Sequence, residues 1–254
     1  MPYILIALIG LIVYSNSFTA PFTLDDFGSI TNNYAIRDPL DFKAIWNFYS
    51  NRFVLYYTIS LNYFFCQNSP LGYHIVNLLI HIVNGWLVYT IIFHVLEIDY
   101  FKGKMLGKHR RIISTLSALV FICHPVQVNA VTYIIQRTAA LAATFYFLAI
   151  LYYIKYRIYD KKRYFVFTLV FTLIAMFTKE NTITIPFMLA VIEFLFFAGD
   201  HKTSWRKRMA IFIILSLTIP IIPATNLFLG GYSQSDPNVD FKASTSMDRM
   251  HYFY

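Results

Sequence analysis

The stretch Tyr73-His-Ile-Val-Asn-Leu-Leu-Ile-His-Ile-Val-Asn-Gly-Trp-Leu-Val-Tyr-Thr-Ile-Ile-Phe-His-Val-Leu96 runs without a single Asp, Glu, Lys or Arg. About 20 apolar residues suffice to carry a helix across roughly 30 Å of hydrocarbon, so this stretch reads as a membrane span. Its polar members His74, Asn77, His81 and Asn84 recur at offsets of 0, 3, 7 and 10, which places them on one face. Such a face turns toward other helices or a cavity, because lipid offers nothing to bond with. Interhelical hydrogen bonding is the simplest role for Asn77, His81 and Asn84, whereas His74 lies nearer the water.

The same ruler laid along the 254 residues finds six further apolar segments, near 3–20, 112–123 with an extension past His124, 138–154, 164–178, 182–198 and 209–228. The composition agrees: 57% of the residues are hydrophobic and only 13% charged, against about 25% charged in an average soluble domain. A soluble globular protein is excluded, and the 25 Phe and 20 Tyr exclude a disordered chain. The expectation is an all-α, multi-pass membrane protein of about seven transmembrane helices. The first segment has no basic leader and a poor cleavage site at Phe18-Thr19-Ala20, so it reads as an uncleaved anchor.

The net charge of +8 has a topological explanation. Fourteen of the 21 basic residues fall in the loops 98–111, 155–163 and 199–208, and loops rich in Lys and Arg stay in the cytoplasm. No nucleic-acid partner is needed to explain the charge. The N-terminus is then cytoplasmic, and the opposite face receives a long loop at 21–72, short connections at 124–137 and 179–181, and a tail at 229–254. Two amphipathic stretches divide the long loop. One opens at Asp38-Pro39 as N-cap and first helical residue and runs through Leu40, Phe42, Ile45, Trp46 and Tyr49; the other covers Phe53 to Phe65. Both suit interfacial helices on the outer leaflet, with a re-entrant hairpin as the rival for 53–65.

Chemistry-bearing residues collect on that outer face. Asp25 and Asp26 stand just after the first segment, in Pro21-Phe-Thr-Leu-Asp-Asp-Phe27. Adjacent carboxylates at a lipid boundary hinder each other's ionisation, which poises a proton acceptor, and only one of two neighbours can aim at a given atom. In His124-Pro-Val-Gln-Val-Asn-Ala-Val-Thr-Tyr-Ile-Ile-Gln-Arg137, a continuous helix would put Asn129, Tyr133 and Arg137 on one face. Arg137 there suits a phosphate through bidentate bonds, or else snorkels or pairs with a carboxylate. Lys179-Glu180 either neutralises itself or adds a second phosphate contact. No His/Cys/Asp/Glu spacing marks a metal site, and no Gly-rich nucleotide loop is present. A lipid-carried donor fits this face better than a nucleotide. Cys66 and Cys123 read as free, buried thiols.

Four motifs in order carry a resemblance: Phe22-x-Leu-Asp-Asp-x-x-x-Ile-x-Asn-Asn33, Gly72-Tyr-His-Ile-Val-Asn-Leu-Leu-Ile-His81, the segment His124 to Arg137, and Thr178-Lys-Glu-Asn-Thr-Ile-Thr-Ile-Pro186. Together they resemble the membrane region of the transmembrane O-mannosyltransferases with tetratricopeptide repeats, in the manner of bacterial relatives. The resemblance implies a C-type glycosyltransferase core in residues 1–228 and transfer of a hexose, mannose by analogy, from a polyprenyl-phosphate carrier to a protein Ser/Thr or glycan hydroxyl, with inversion. It implies Asp25 or Asp26 as the base, with Asp25 preferred, and Arg137, then Lys179, then Arg52 as the cation facing the donor phosphate. His74, His124, Asn129, Tyr133 and Glu180 would line the site. Many members of the family carry Glu where this chain has Asn129. No cofactor beyond the lipid-linked donor is implied, and the setting is a bacterial inner membrane with the site on its outer face. Members usually continue into further helices and often into repeats, so the resemblance implies a second chain as a source of them. A lipid-linked sugar flippase, or a non-catalytic subunit of a split transferase, would use the same polar stripe without needing Asp25 as a base.

Overall fold

A computed structural model describes residues 1–197 and 204–229. Lys202 of the third basic loop and the expected tail, from residue 230 on, lie outside the described residues. The described residues form helices and no strand: α1 (Pro2–Tyr14), α2 (Phe42–Phe48), α3 (Phe53–Cys66), α4 (Pro70–Val95), α5 (Met105–Lys108), α6 (Arg110–Cys123), α7 (Val128–Thr132), α8 (Arg137–Tyr159), α9 (Lys162–Met176), α10 (Ile185–Phe197), α11 (Trp205–Ser216) and α12 (Ile221–Leu229). Short 3₁₀ and π turns join several of them.

Among the described residues, five helical segments are long and apolar enough to cross a membrane: Pro2–Thr19, Pro70–Val95, Ile134–Tyr159, Glu180–Phe197 and Arg208–Thr225. They coincide with five of the seven expected segments. The segment expected at 112–123 is α6, which breaks at His124 and continues at an angle of 51° through Pro125–Thr132. Proline explains the break, since the residue before it is driven into extended backbone and the ring removes an N–H. The segment expected at 164–178 is α9, whose 15 residues give about 22 Å at 1.5 Å per residue, short of a full hydrocarbon crossing.

Helices α4 and α8 form the centre. Helix α4 packs against α1, α6 and α8, and α9 packs along α8. Closeness requires a glycine at the crossing of α1, α4 and α6: a Cβ on Gly85 would come within 2.8 Å of Ile122 Cγ1 and 3.0 Å of Ile6 Cγ2. The polar stripe of α4 faces inward, and Asn77, His81 and Asn84 find partners there. Asn77 Nδ2 donates to the carbonyls of Ile134 (3.1 Å) and Val131 (3.4 Å), and Asn84 Nδ2 donates to the carbonyl of Ala140 (2.9 Å). The Thr144 hydroxyl donates to Asn84 Oδ1 at 2.8 Å, and His81 Nε2 pairs with the Ile122 carbonyl at 3.2 Å. Buried polar groups find partners here because lipid and core leave them no water.

The first expected interfacial helix starts later than its sequence suggested. Asp38 Oδ1 accepts from Leu40 N in a turn, and Asp41 is the N-cap, its Oδ1 accepting from Ala44 N at 2.9 Å. Asp38-Pro39 therefore makes the turn before the helix, and an Asp three residues on takes the cap. The second stretch, expected at Phe53 to Phe65, is α3, which starts at Phe53 and ends one residue later at Cys66. Cys66 is half-buried and Cys123 exposed, so the expectation of two buried thiols fails.

A charged cluster pins α8, α10 and α11 together at the end of the bundle away from Asp25. Glu193 Oε2 accepts from Arg157 Nε at 2.8 Å and from the Tyr153 hydroxyl at 3.0 Å, while Arg208 Nε lies 3.3 Å from Oε1. Replacing Glu193 by Gln leaves two arginines facing each other without the carboxylate. The expected result is a loss of about 3–5 kcal/mol of stability, read as a lower melting midpoint of the purified protein in detergent.

Candidate active site

The two acids stand on a strap that leaves α1 and crosses the top of α4. After the 3₁₀ turn Ser15–Thr19, the chain extends at Ala20 and then turns tightly at Thr23–Asp26, where Asp26 N donates to the Thr23 carbonyl at 2.9 Å. Asp26 closes the turn with its own side chain, Oδ2 accepting from Thr23 N at 3.0 Å. Its other oxygen, Oδ1, accepts from Ile135 N at 2.9 Å on a distant segment. Asp26 is thereby buried, at 1% exposure, while the neighbouring Asp25 is exposed. Burial raises the Asp26 carboxyl above the usual carboxylate range, against the pull of the two N–H groups. Leu24 takes a left-handed φ of +44°, a conformation that costs a non-glycine residue about 1–2 kcal/mol. Such strain persists where the surroundings over-determine the backbone, and here Tyr133 supplies another tie: its hydroxyl oxygen accepts from Asp25 N at 2.9 Å.

The segment 124–137 is not one helix, which corrects the shared face expected for Asn129, Tyr133 and Arg137. His124 Nδ1 accepts from Val126 N and caps the 3₁₀ turn Pro125–Gln127; α7 follows, Tyr133 is extended at ψ 114°, and a 3₁₀ turn Ile134–Gln136 leads into α8. The break at Tyr133 frees the N–H of Ile135 to meet Asp26. His124 and Asn129 are exposed, Tyr133 is half-buried against the strap, and Arg137 is wholly inside.

Arg137 therefore sits elsewhere than at an outer surface. Its Nε donates to Asn77 Oδ1 at 2.7 Å, one terminal nitrogen to Asn62 Oδ1 (2.7 Å) and the Tyr73 carbonyl (3.2 Å), and the other to the Thr58 carbonyl at 3.3 Å. The guanidinium is 0% exposed and joins α3, α4 and α8 through neutral acceptors. A rigid five-donor fork suits such a cage, and in this arrangement its donors face protein.

The pairing around Glu180 also differs from the sequence reading. Glu180 pairs with Arg52 instead of Lys179: Arg52 Nε to Oε1 is 3.1 Å and NH2 to Oε2 is 3.2 Å, a two-point clasp to which the Tyr49 hydroxyl adds a 3.0 Å bond on Oε1. Lys179 is half-buried and makes no ion pair among the described residues. It lies at the same end of the bundle as the strap, because the Thr138 hydroxyl near the start of α8 donates to the Thr178 carbonyl at 3.1 Å. Asn51 and Thr225, joined by a hydrogen bond, bring the far end of the last span to this end as well. His74 is buried under the strap, its Nε2 3.0 Å from the Ala20 carbonyl.

Sequence reading missed Asn62, Tyr49 and Thr138. Asn62 could have been suspected as a lone amide within an aromatic helix, whereas Tyr49 and Thr138 carry no signal of their own. An apolar groove of about 410 Å³ opens between α3 and α4, lined by Leu61, Phe65, Ile75 and Val76, with Asn62 and Thr58 at its polar edge. Among the described residues no three His, Cys, Asp or Glu gather as a metal site.

Comparison with known proteins sets this geometry in a family context. The chain is 28% identical over 211 residues to the protein O-mannosyl-transferase TMTC4 of Homo sapiens, covering 74% of this chain and 28% of that protein. It is 30% identical over 204 residues to the protein O-mannosyl-transferase F38B6.6 of Caenorhabditis elegans (74% and 27%), and 26% identical over 196 residues to TMTC3 of Mus musculus (71% and 20%). The chain is a relative of these transferases. Its described helices agree with a multi-pass membrane protein, and it spans little more than a quarter of the length of the first two relatives. No family model matches the chain, and no solved structure matches it significantly.

Proposed function

We propose that the chain carries the catalytic membrane module of a glycosyltransferase that moves mannose from a polyprenyl-phosphate carrier to a Ser or Thr hydroxyl, on the non-cytoplasmic face of a bacterial inner membrane. One observation carries the reading: of two adjacent acids, Asp26 spends both oxygens on backbone N–H groups, while Asp25 stands exposed on a backbone held by Tyr133. Asp25 is the base. Its carboxylate takes the proton of the attacking hydroxyl as the new C1–O bond forms; the C1–O bond to phosphate breaks on the opposite face, which inverts the anomeric centre. Negative charge gathers on the departing polyprenyl phosphate, and a fixed cation nearby lowers that barrier.

Lys179 takes first place as that cation, because Arg137 is enclosed and Arg52 is already clasped by Glu180. Arg137 holds the helices beneath the site, and Arg52, Glu180 and Tyr49 form its rim. His124 and Asn129, exposed on the same connection as Tyr133, remain site-lining residues. The α3–α4 groove suits a lipid chain. In this reading the bent α6–α7 pair and α9 complete a seven-span, C-type core in residues 1–228, α2 and α3 rest at the outer interface, and the loops rich in Lys and Arg are cytoplasmic. The acceptor is a protein or glycan hydroxyl.

The test is a product analysis. Reconstituted protein is supplied with polyprenyl-phosphate mannose or with GDP-mannose, beside a Ser/Thr-rich peptide. The expected product is peptide-linked mannose of inverted configuration from the lipid donor alone. Movement of the lipid-linked sugar across the bilayer without a peptide product would replace the transferase with a flippase.

A further inference from the structure

The strap that carries Asp25 is fastened on two sides. Toward the start of α8 it is held by Asp26 Oδ1 on Ile135 N and by Asp25 N on the Tyr133 hydroxyl. Toward α4 it is held by the 3.0 Å pairing of His74 Nε2 with the Ala20 carbonyl and by the edge-to-face packing of Phe22 on Tyr73, with ring centroids 5.5 Å apart. His74 is thus the polar fastener on the α4 side. A carbonyl only accepts, so Nε2 carries the proton, and in the neutral ring Nδ1 is left with a lone pair. That Nδ1 is buried and has no hydrogen-bond partner among the described residues, a costly arrangement to keep in a core. A hydrophobic residue would fill the same volume without stranding a nitrogen, so packing alone does not account for histidine at this position.

From this geometry we propose that His74 is a positioning residue: its Nε2–H holds the Ala20 carbonyl and thereby fixes the height of the strained strap on which Asp25 meets the acceptor hydroxyl. The inference rests on Asp25 as the base. The strap contains the left-handed Leu24 three residues before Phe27, so losing one fastener lets the turn relax toward ordinary backbone. A shift of about 1 Å in a reacting group costs roughly 10²-fold in rate.

Two substitutions of similar polarity separate positioning from general stability. Glutamine places its amide nitrogen where His74 Nε2 stands, whereas asparagine reaches only as far as Nδ1. In reconstituted full chain, H74Q should keep kcat for mannosyl transfer within about 3-fold of wild type, and H74N should lower it about 10²-fold with the KM for polyprenyl-phosphate mannose little changed. Amide exchange over residues 20–27 should be faster in H74N and unchanged in H74Q, a readout independent of transfer. Equal kcat and equal exchange in the two variants would overturn the inference. Retained transfer in both D25N and D26N would instead remove the proposed base, while the exchange comparison would still decide whether His74 holds the strap.

Discussion

Asp25→Asn should lower mannosyl transfer by about 10²–10⁴-fold, the contribution of a well-placed general base, and should leave the protein folded. The side chain is exposed, and the hydrogen bond at this residue comes from its backbone, Asp25 N to the Tyr133 hydroxyl, which asparagine keeps. Asp26→Asn is expected to behave differently. An amide can accept from one of the two N–H groups that Asp26 serves, but its NH₂ then faces the other, so either the Thr23 turn or the tie to Ile135 opens. The expected outcome is reduced transfer together with a lower melting midpoint. Measuring both quantities on both variants separates the acid that reacts from the acid that holds the backbone.

The second large effect concerns Arg137. Arg137→Met removes the charged donors of Asn77 Oδ1 and Asn62 Oδ1 and two further bonds to carbonyls inside the bundle. With hydrogen bonds to charged groups contributing about 1.5–3 kcal/mol each, a loss of at least about 3 kcal/mol is expected. Arg137→Lys keeps the charge but loses the fork, and falls between wild type and Met. A thermal melt in detergent, with and without saturating lipid donor, checks this. Destabilisation of the same size is expected in both conditions. A normal melt with a raised KM for the donor would return Arg137 to the phosphate.

The spans and the polar face of α4 were legible because they rest on a local rule: a lipid environment demands apolar runs and intrahelical bonding, and polar side chains at helical spacing must face protein. Asp25 and Asp26 were legible as an unusual pair, but not as a pair with divided labour. That division depends on Ile135 and Tyr133, more than a hundred residues away, whose meeting with the strap needs the break at Tyr133. The helix spacing of Asn129, Tyr133 and Arg137 misled for the same reason, since periodicity assumes a continuity that the extended Tyr133 interrupts. Arg137 looked like a surface cation because arginine is rarely wholly buried; the amides of Asn62 and Asn77, supplied by two other helices, are what admit it. Lys179-Glu180 misled through adjacency, for Glu180 reaches across to Arg52.

The most direct test is the rate of radiolabelled mannose transfer from polyprenyl-phosphate mannose to a Ser/Thr peptide, by wild type beside Asp25→Asn, each in nanodiscs and each with a matched melting midpoint. Wild type should transfer mannose, and the variant should lose about 10²-fold or more of that rate at unchanged stability. Equal transfer by the two proteins would contradict Asp25 as the base.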